Sequence, residues 1–233
     1  MPAEQLPLPV APRAPTRDTP ARRLPTRLSP MQPTEVAGPF DDQDYLFEAW
    51  WPGTRAIASC ERGVLRLQVA GLADAEAAFP ELATLPSQLA EDATMLDGTL
   101  LILDADGRPD ADLLRQRLAG LGRPGRPAYV ASDLLWAGGQ SVRLNAFHVR
   151  RAWLETILEP GDRATVGRGY RGDGTLLAEA LASLGVDGLS ARQLGARYRS
   201  GPAGDAWLRA PITPAEPRSR PTLALILRLP LGD

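Results

Sequence analysis

Short β-prone runs set close together by tight turns constrain this chain more than any other feature. Residues 46–49, 55–60 and 64–69 read as strands, separated by the Pro52-Gly53 and Arg62-Gly63 dipeptides that punctuate extended segments. An antiparallel meander is expected of them. Helical periodicity follows over residues 111–119, 145–158 and 175–184, the last closed by Gly185 as a C-terminal cap. Further strands are expected over 95–103 and 128–135. Strands and helices alternate irregularly, which predicts an α+β domain and argues against a doubly wound parallel sheet.

A content of 44% hydrophobic and 23% charged residues in 233 is that of an ordinary globular chain, long enough for one large or two small cores. No apolar run reaches the length of a membrane span, and the N-terminus has no secretion signal, so a cytoplasmic location without membrane contact is expected. One cysteine, Cys60, and one histidine, His148, exclude a Cys/His zinc site, and no metal site is expected. Residues 1–28, rich in proline and arginine, cannot bury enough surface to offset their ordering entropy and are expected to be a disordered tail. Residues 31–111 carry four arginines against fifteen acids, and from Asp112 onward seventeen arginines face eleven acids, so a phosphate-binding surface is expected from the second half.

Nine segments, in order, carry a family resemblance: Leu28-Ser-Pro-Met-Gln, Gly38-Pro-Phe-Asp-Asp-Gln-Asp-Tyr-Leu-Phe-Glu48, Phe79-Pro-Glu-Leu82, Leu96-Asp-Gly98, Leu103-Asp-Ala-Asp-Gly-Arg-Pro-Asp110, Asp133-Leu-Leu135, Arg150-Arg151, Asp187-Gly-Leu189, and Tyr198-Arg-Ser-Gly201 through Trp207-Leu208. Together they resemble the adenylation domain of ATP-dependent DNA ligases, especially the bacterial end-joining type. The resemblance implies two packed antiparallel β-sheets with flanking helices over residues 29–211. It leaves 212–233 as a C-terminal extension, too short for the oligonucleotide-binding barrel of such ligases, with one possible strand over 222–229.

In that family a lysine in a Lys-x-Asp-Gly-x-Arg motif attacks the α-phosphate of ATP. This chain contains no lysine; all 26 basic residues are arginine, as a GC-rich genome would also favour. Registered on Glu48, Gly53 and Arg55, the nucleophile's place falls on Trp50 and the motif's aspartate on Pro52. An indole N–H only donates, and guanidinium does not deprotonate, so neither replaces the amine. The resemblance also puts Thr99 where a glutamate is expected, Ser132 where an aromatic would stack on adenine, and Ala70 near the place of an arginine. The acid of the fourth motif survives as Asp187 and its lysine becomes Arg192; in the fifth motif, Arg209 and Pro211 replace two lysines. Glu48, Arg55, Asp187, Arg192 and Arg209 are therefore the candidate residues of a vestigial nucleotide site, with no catalytic residue. ATP and Mg²⁺ are expected only if residual binding persists.

The isolated candidates weigh less. His148, with Arg151 and Glu155 at three- and seven-residue spacing, is expected on the polar side of its helix. Cys60 reads as a small core residue, and Gly167-Arg-Gly169 with Arg171-Gly172 as flexible cationic loop. Trp50 and Trp51, adjacent on extended chain, point to opposite faces, so one could plug the former cleft; core packing alone explains the pair equally well. Three readings follow: an inactive ligase-like module that binds DNA or a DNA-repair protein, an active ATP-dependent ligase, or a remnant with no role. Oligomeric state is left open.

Overall fold

The computed structural model describes residues 23–215 and 221–229. The first half runs β1 (Met31–Gln32), β2 (Thr34–Glu35), β3 (Asp42–Ala49), β4 (Thr54–Glu61), β5 (Val64–Val69), α1 (Ala75–Ala78), a 3₁₀ segment (Pro80–Gln88), β6 (Thr94–Leu103) and α2 (Ala111–Leu118). The second runs β7 (Arg126–Ala137), β8 (Gln140–Ser141), α3 (Phe147–Ile157), β9 (Ala164–Val166), β10 (Gly169–Gly172), α4 (Gly174–Ser183), β11 (Gly188–Gln193), β12 (Gly201–Pro202), a second 3₁₀ turn (Gly204–Ala206), β13 (Trp207–Pro211) and α5 (Leu223–Leu227).

Two sheets carry the fold, one of five strands in the order β10-β3-β11-β13-β2 and one of six following β5-β4-β6-β7-β8 with β9 against β7. The long pairings are antiparallel; the short strands β2, β9 and the β1–β12 pair add parallel contacts. β4 and β5 form a hairpin through Arg62 and Gly63, whose φ values of 55° and 73° fit a two-residue turn with both central residues left-handed. The meander expected of β3, β4 and β5 holds only for the last two. β3 pairs with β10 and β11 in the other sheet, so the chain changes sheets between Ala49 and Thr54. Gly53 makes the crossing possible, because a Cβ there would overlap the Leu100 carbonyl oxygen and the Leu101 and Thr99 side chains.

Alternation along the central strands builds two cores. Leu101, Leu103, Ala128 and Val130 face Phe47, Ala49, Leu189 and Ala191 of the five-stranded sheet, and α4 closes this layer with Leu177 and Leu181. Leu100, Ile102, Tyr129 and Ala131 face the other way, under α3 and the Pro80–Gln88 segment through Leu154, Leu82 and Leu85. Cys60 lies in this second core, where burial pushes its thiol up to about 12, so it is an inert apolar filler. Gly98 lets β6 and β7 approach, since a Cβ there would sit 2.7 Å from the Tyr129 ring and closer still to the Val130 carbonyl oxygen.

Two carboxylates, Asp97 on β6 and Asp133 on β7, face each other across the ladder with 0% exposure. Each requires a cation at hand, because an unpaired buried charge costs several kcal/mol. Arg150 of α3 grips Asp133 with Nε and Nη2 at 2.7 and 2.8 Å and donates its remaining nitrogen to the Asn145 and Ala196 carbonyls at 2.5 and 3.0 Å. Arg192 of β11 reaches the same carboxylate at 3.2 Å from the other sheet. Asp97 pairs with Arg55 and accepts the Tyr198 hydroxyl at 2.7 Å, and burial together with this carboxylate's charge raises the Tyr198 pKa.

Several expectations are corrected. Residues 23–28 were assigned to a disordered tail, yet Leu24 and Leu28 pack against Met31, Ile57 and Met95. Gln68 clamps the Leu28 backbone on both sides, accepting its N–H at 3.0 Å and donating to its carbonyl at 2.6 Å. Residues 1–22 lie outside the described residues. The strand expected over 222–229 is instead the helix α5, because Thr222 caps Leu225 N–H at 3.2 Å and Leu223, Ile226 and Leu227 share a helical face on the first core. Arg151 is buried, not on the polar side with His148, because Glu48 draws it inward; His148 is exposed and its Nδ1 lies 2.9 Å from the Leu194 carbonyl oxygen. Gly169 to Gly172 are strand β10, not loop, and Gly167 presses against Glu48, where a Cβ would sit 2.9 Å from Oε1.

Two stability measurements test this account. Asp133→Asn leaves Arg150 and Arg192 without their shared counter-charge and is expected to cost about 3–5 kcal/mol in urea unfolding. Gly98→Ala forces β6 and β7 apart against backbone and is expected to cost about 1–3 kcal/mol; a loss below about 0.5 kcal/mol in the same assay would contradict the close approach.

Candidate nucleotide cleft

The crossing from β3 to β4 delivers Trp50 and Trp51 to the seam between the sheets. Around it stand Glu48 of β3, Arg55 of β4, Thr99 of β6, Ser132 of β7, and Ser190 and Arg192 of β11, with Trp207 of β13 beneath. The space left among them is about 20 Å³, room for one water molecule. Of the five candidate residues, Glu48, Arg55 and Arg192 line this cavity. Arg209 stands at its edge with the guanidinium 4.7 Å from the Trp50 ring centre and Nη1 2.7 Å from Glu35. Asp187 does not join them. It is exposed, and its backbone carbonyl is taken by Ile212 N–H at 2.9 Å.

What fills the seam is a column of rings and guanidinium groups. Trp50 and Trp207 lie 5.9 Å apart at 32°, while Arg55 and Arg192 each sit 4.2 Å from the Trp207 ring centre. From the exposed edge inward the order is Arg209, Trp50, Trp207, then half-buried Arg55 and buried Arg192. Such contacts contribute about 0.5–1 kcal/mol when exposed and about 2 when desolvated. Trp207 is fixed by its Nε1–H, which donates to Ser190 Oγ at 2.8 Å. Trp50 is seated by its backbone N–H on the Gly188 carbonyl at 2.9 Å, and a side chain at 188 would collide with its Cβ at 2.8 Å. Both indoles line the cavity, with Trp51 buried in the core between the sheets and Trp50 half-buried against Trp207.

The charged groups are committed to one another. Arg151 donates to Glu48 Oε1 and Glu155 Oε1 at 2.7 Å each and to the Gly167 carbonyl; burial alone would lower its pKa, but the two glutamates outweigh it and raise it. For Arg192 the balance tips the other way. Burial and the neighbouring Arg55 lower its pKa despite Asp133. It also donates to Ser132 Oγ at 3.1 Å, so the serine found where an adenine-stacking aromatic was expected anchors the arginine. Around the cleft, four buried polar atoms, Arg55 Nε, Arg192 Nε, Arg209 Nε and Asp97 Oδ1, have no hydrogen-bond partner among the described residues. Sequence reasoning missed Asp97, Asp133, Arg150, Arg151 and Ser190 as parts of this site. The Arg150-Arg151 pair on an otherwise apolar helical face was the signal that could have found two of them.

No family model matches the chain. Among curated proteins it is 30% identical over 184 residues to the multifunctional non-homologous end joining DNA repair protein LigD of Mycobacterium tuberculosis, covering 78% of this chain and 24% of that protein. It is 33% identical over 172 residues to LigD of Pseudomonas aeruginosa, covering 71% and 20%. The chain thus spans about a quarter or less of the length of these relatives. The structure superposes on mycobacterial DNA ligase D complexed with ATP and MES with a TM-score of 0.68 at 28% identity, covering 78% of this chain and 59% of that one. Chlorella virus DNA ligase-adenylate shares the fold at a TM-score of 0.54 and 15% identity, covering 78% and 67%. The chain is a homologue of the bacterial end-joining ligase domains and has the adenylation-domain fold of ATP-dependent DNA ligases.

Proposed function

We propose that this chain is a degenerate ligase-like adenylation domain that does not transfer AMP to itself and acts as a binding module for DNA or a DNA-repair protein. The observation that carries this reading is the filled cleft. In the register of the family motif, Trp50 takes the nucleophile's position and stacks on Trp207, and about 20 Å³ remains where ligand sites ordinarily span about 300–1,000 Å³. No lysine exists anywhere in the chain to form a phosphoramidate.

The residues present do not fit ATP or a divalent cation. Arg55 and Arg192, the groups that could meet phosphates, are bound to Asp97 and Asp133. Glu48, Asp97 and Asp133, the carboxylates that could meet a metal, are each engaged by an arginine. Opening the cleft would break ion pairs made to buried carboxylates, a loss of several kcal/mol before any ligand contact is made. Similarity to end-joining proteins supports a place in DNA repair, and that role needs the fold's surface, not its cleft.

Incubation with radiolabelled ATP and Mg²⁺, followed by a denaturing gel, tests the reading. No labelled band is expected, and saturating ATP is expected to leave the melting temperature unchanged, where a ligand at about 100 times its Kd would add about 2.7 kcal/mol. A band with the acid lability of a phosphoramidate would restore the active-ligase reading. Trp50→Lys by itself is expected to stay unlabelled, because Pro52, Thr99, Ser132 and Pro211 still occupy motif positions and Arg192 still belongs to Asp133. Strong labelling of that variant would show the remaining site to be competent.

A further inference from the structure

Four arginines that have no ion-pair partner among the described residues converge on a groove that shares no lining residue with the filled cleft. Arg23 and Arg27, on the segment that Gln68 clamps, form one wall, and Arg62 and Arg66 of the β4–β5 hairpin form the other. The groove measures about 320 Å³, and its floor is apolar, with Ile57 and Met95. All four arginines are exposed. Among the described residues no acidic side chain lies within salt-bridge distance of any of them. Glu61 lines the same groove, and Asp92 beside it accepts the Arg62 backbone N–H at 2.7 Å, leaving an excess of positive charge.

This excess stands in the most acidic part of the chain. Residues 31–111 contain four arginines against fifteen acids. Two of them, Arg55 and Arg108, are paired with Asp97 and Asp106. The other two, Arg62 and Arg66, face the groove, where two more arrive from the N-terminal segment. Arg62 is held at φ 55°, a left-handed turn position that glycine or asparagine fills at lower cost. An arginine there exchanges backbone ease for charge at the hairpin tip.

We infer that this groove binds the sugar–phosphate backbone of a nucleic acid. Guanidinium groups on two facing walls suit successive phosphates of one strand, each bound through two parallel N–H donors. No aromatic side chain lines the groove, so bases have nothing to stack on and recognition is independent of sequence. The inference rests on the reading of this chain as a DNA-repair binding module and assigns that module a surface.

Fluorescence anisotropy of a fluorescein-labelled DNA duplex tests it. Four neutralised phosphates predict a slope of log K against log salt of about −3.6. Arg62→Glu/Arg66→Glu is expected to weaken binding ten-fold or more and to flatten that slope, and Arg23→Gln/Arg27→Gln, on the other wall, to act in the same direction. Arg115→Glu/Arg123→Glu, an equal charge change on exposed residues elsewhere, is the control and is expected to stay within two-fold of the parent; circular dichroism checks that each variant is folded. Equal losses in groove and control variants would reduce the effect to net charge and overturn the inference. Binding that no groove variant weakens would also overturn it, while the binding-module reading stands. No binding of the parent chain at low salt would remove both the inference and the nucleic-acid half of that reading. Displacement of the duplex by sodium pyrophosphate or poly-glutamate at equal charge concentration would replace it with a small-anion or acidic-peptide site.

Discussion

The facing carboxylates of Asp97 and Asp133 govern the centre of this protein. They lie opposite one another on neighbouring strands, fully buried, in a place where two negative charges are tolerable only if positive ones are brought to them. Arg150 comes from a helix over the six-stranded sheet, Arg192 from the opposing sheet and Arg55 from the adjacent strand. Three elements are thereby tied to one pair of acids. The ties cross the seam between the sheets, so the interaction that holds the layers in register also occupies the space where a ligand would enter.

An arginine in place of a lysine changes more than the charge carrier. The guanidinium is planar and weakly hydrated, so it can stack on an indole while its edge donates to a carboxylate, as Arg192 does with Trp207 and Asp133. An ammonium has no flat face with which to close such a column. Once Trp50 caps Trp207 and Arg209 caps Trp50, each layer covers the next, and the seam is filled by the chain's own side chains. The packing of the seam and the absence of lysine are linked physically, since the guanidinium groups that stack there cannot serve as an amine nucleophile.

Elements whose signals are local were legible in the sequence. β4, β5, β6 and β7, and helices α2, α3 and α4, fall within a few residues of their expected positions, with Arg62-Gly63 and Gly185 marking the ends of three of them directly. Long-range features were not. Nothing in residues 46–60 says that Pro52-Gly53 joins two different sheets, since a hairpin and a crossing begin with the same dipeptide. Leucine-rich residues 223–227 satisfy strand and helix patterns alike until Thr222 is seen capping the turn. At the candidate site the identities of Glu48, Arg55 and Arg192 were legible through their motif register, but their commitment to Arg151, Asp97 and Asp133 depends on partners 42 to 103 positions away. Asp187 shows the converse, an acid in the expected register whose side chain stands outside the cavity.

Partnership divides the arginines of this chain into two working sets. Arg150, Arg151 and Arg192 are buried and Arg55 half-buried, all four are spent on carboxylates, and their contribution is to stability and shape. Arg23, Arg27, Arg62 and Arg66 hold no carboxylate among the described residues and stand exposed around one groove. Surface cations on a chain with a net charge of −2 ordinarily find acids close by, especially in a stretch with fifteen of them. Leaving four together without partners raises the local potential and destabilises the unliganded surface slightly, a cost that an incoming polyanion removes. The filled seam and the exposed groove thus draw on different arginines, so the packing of one does not constrain the charge of the other.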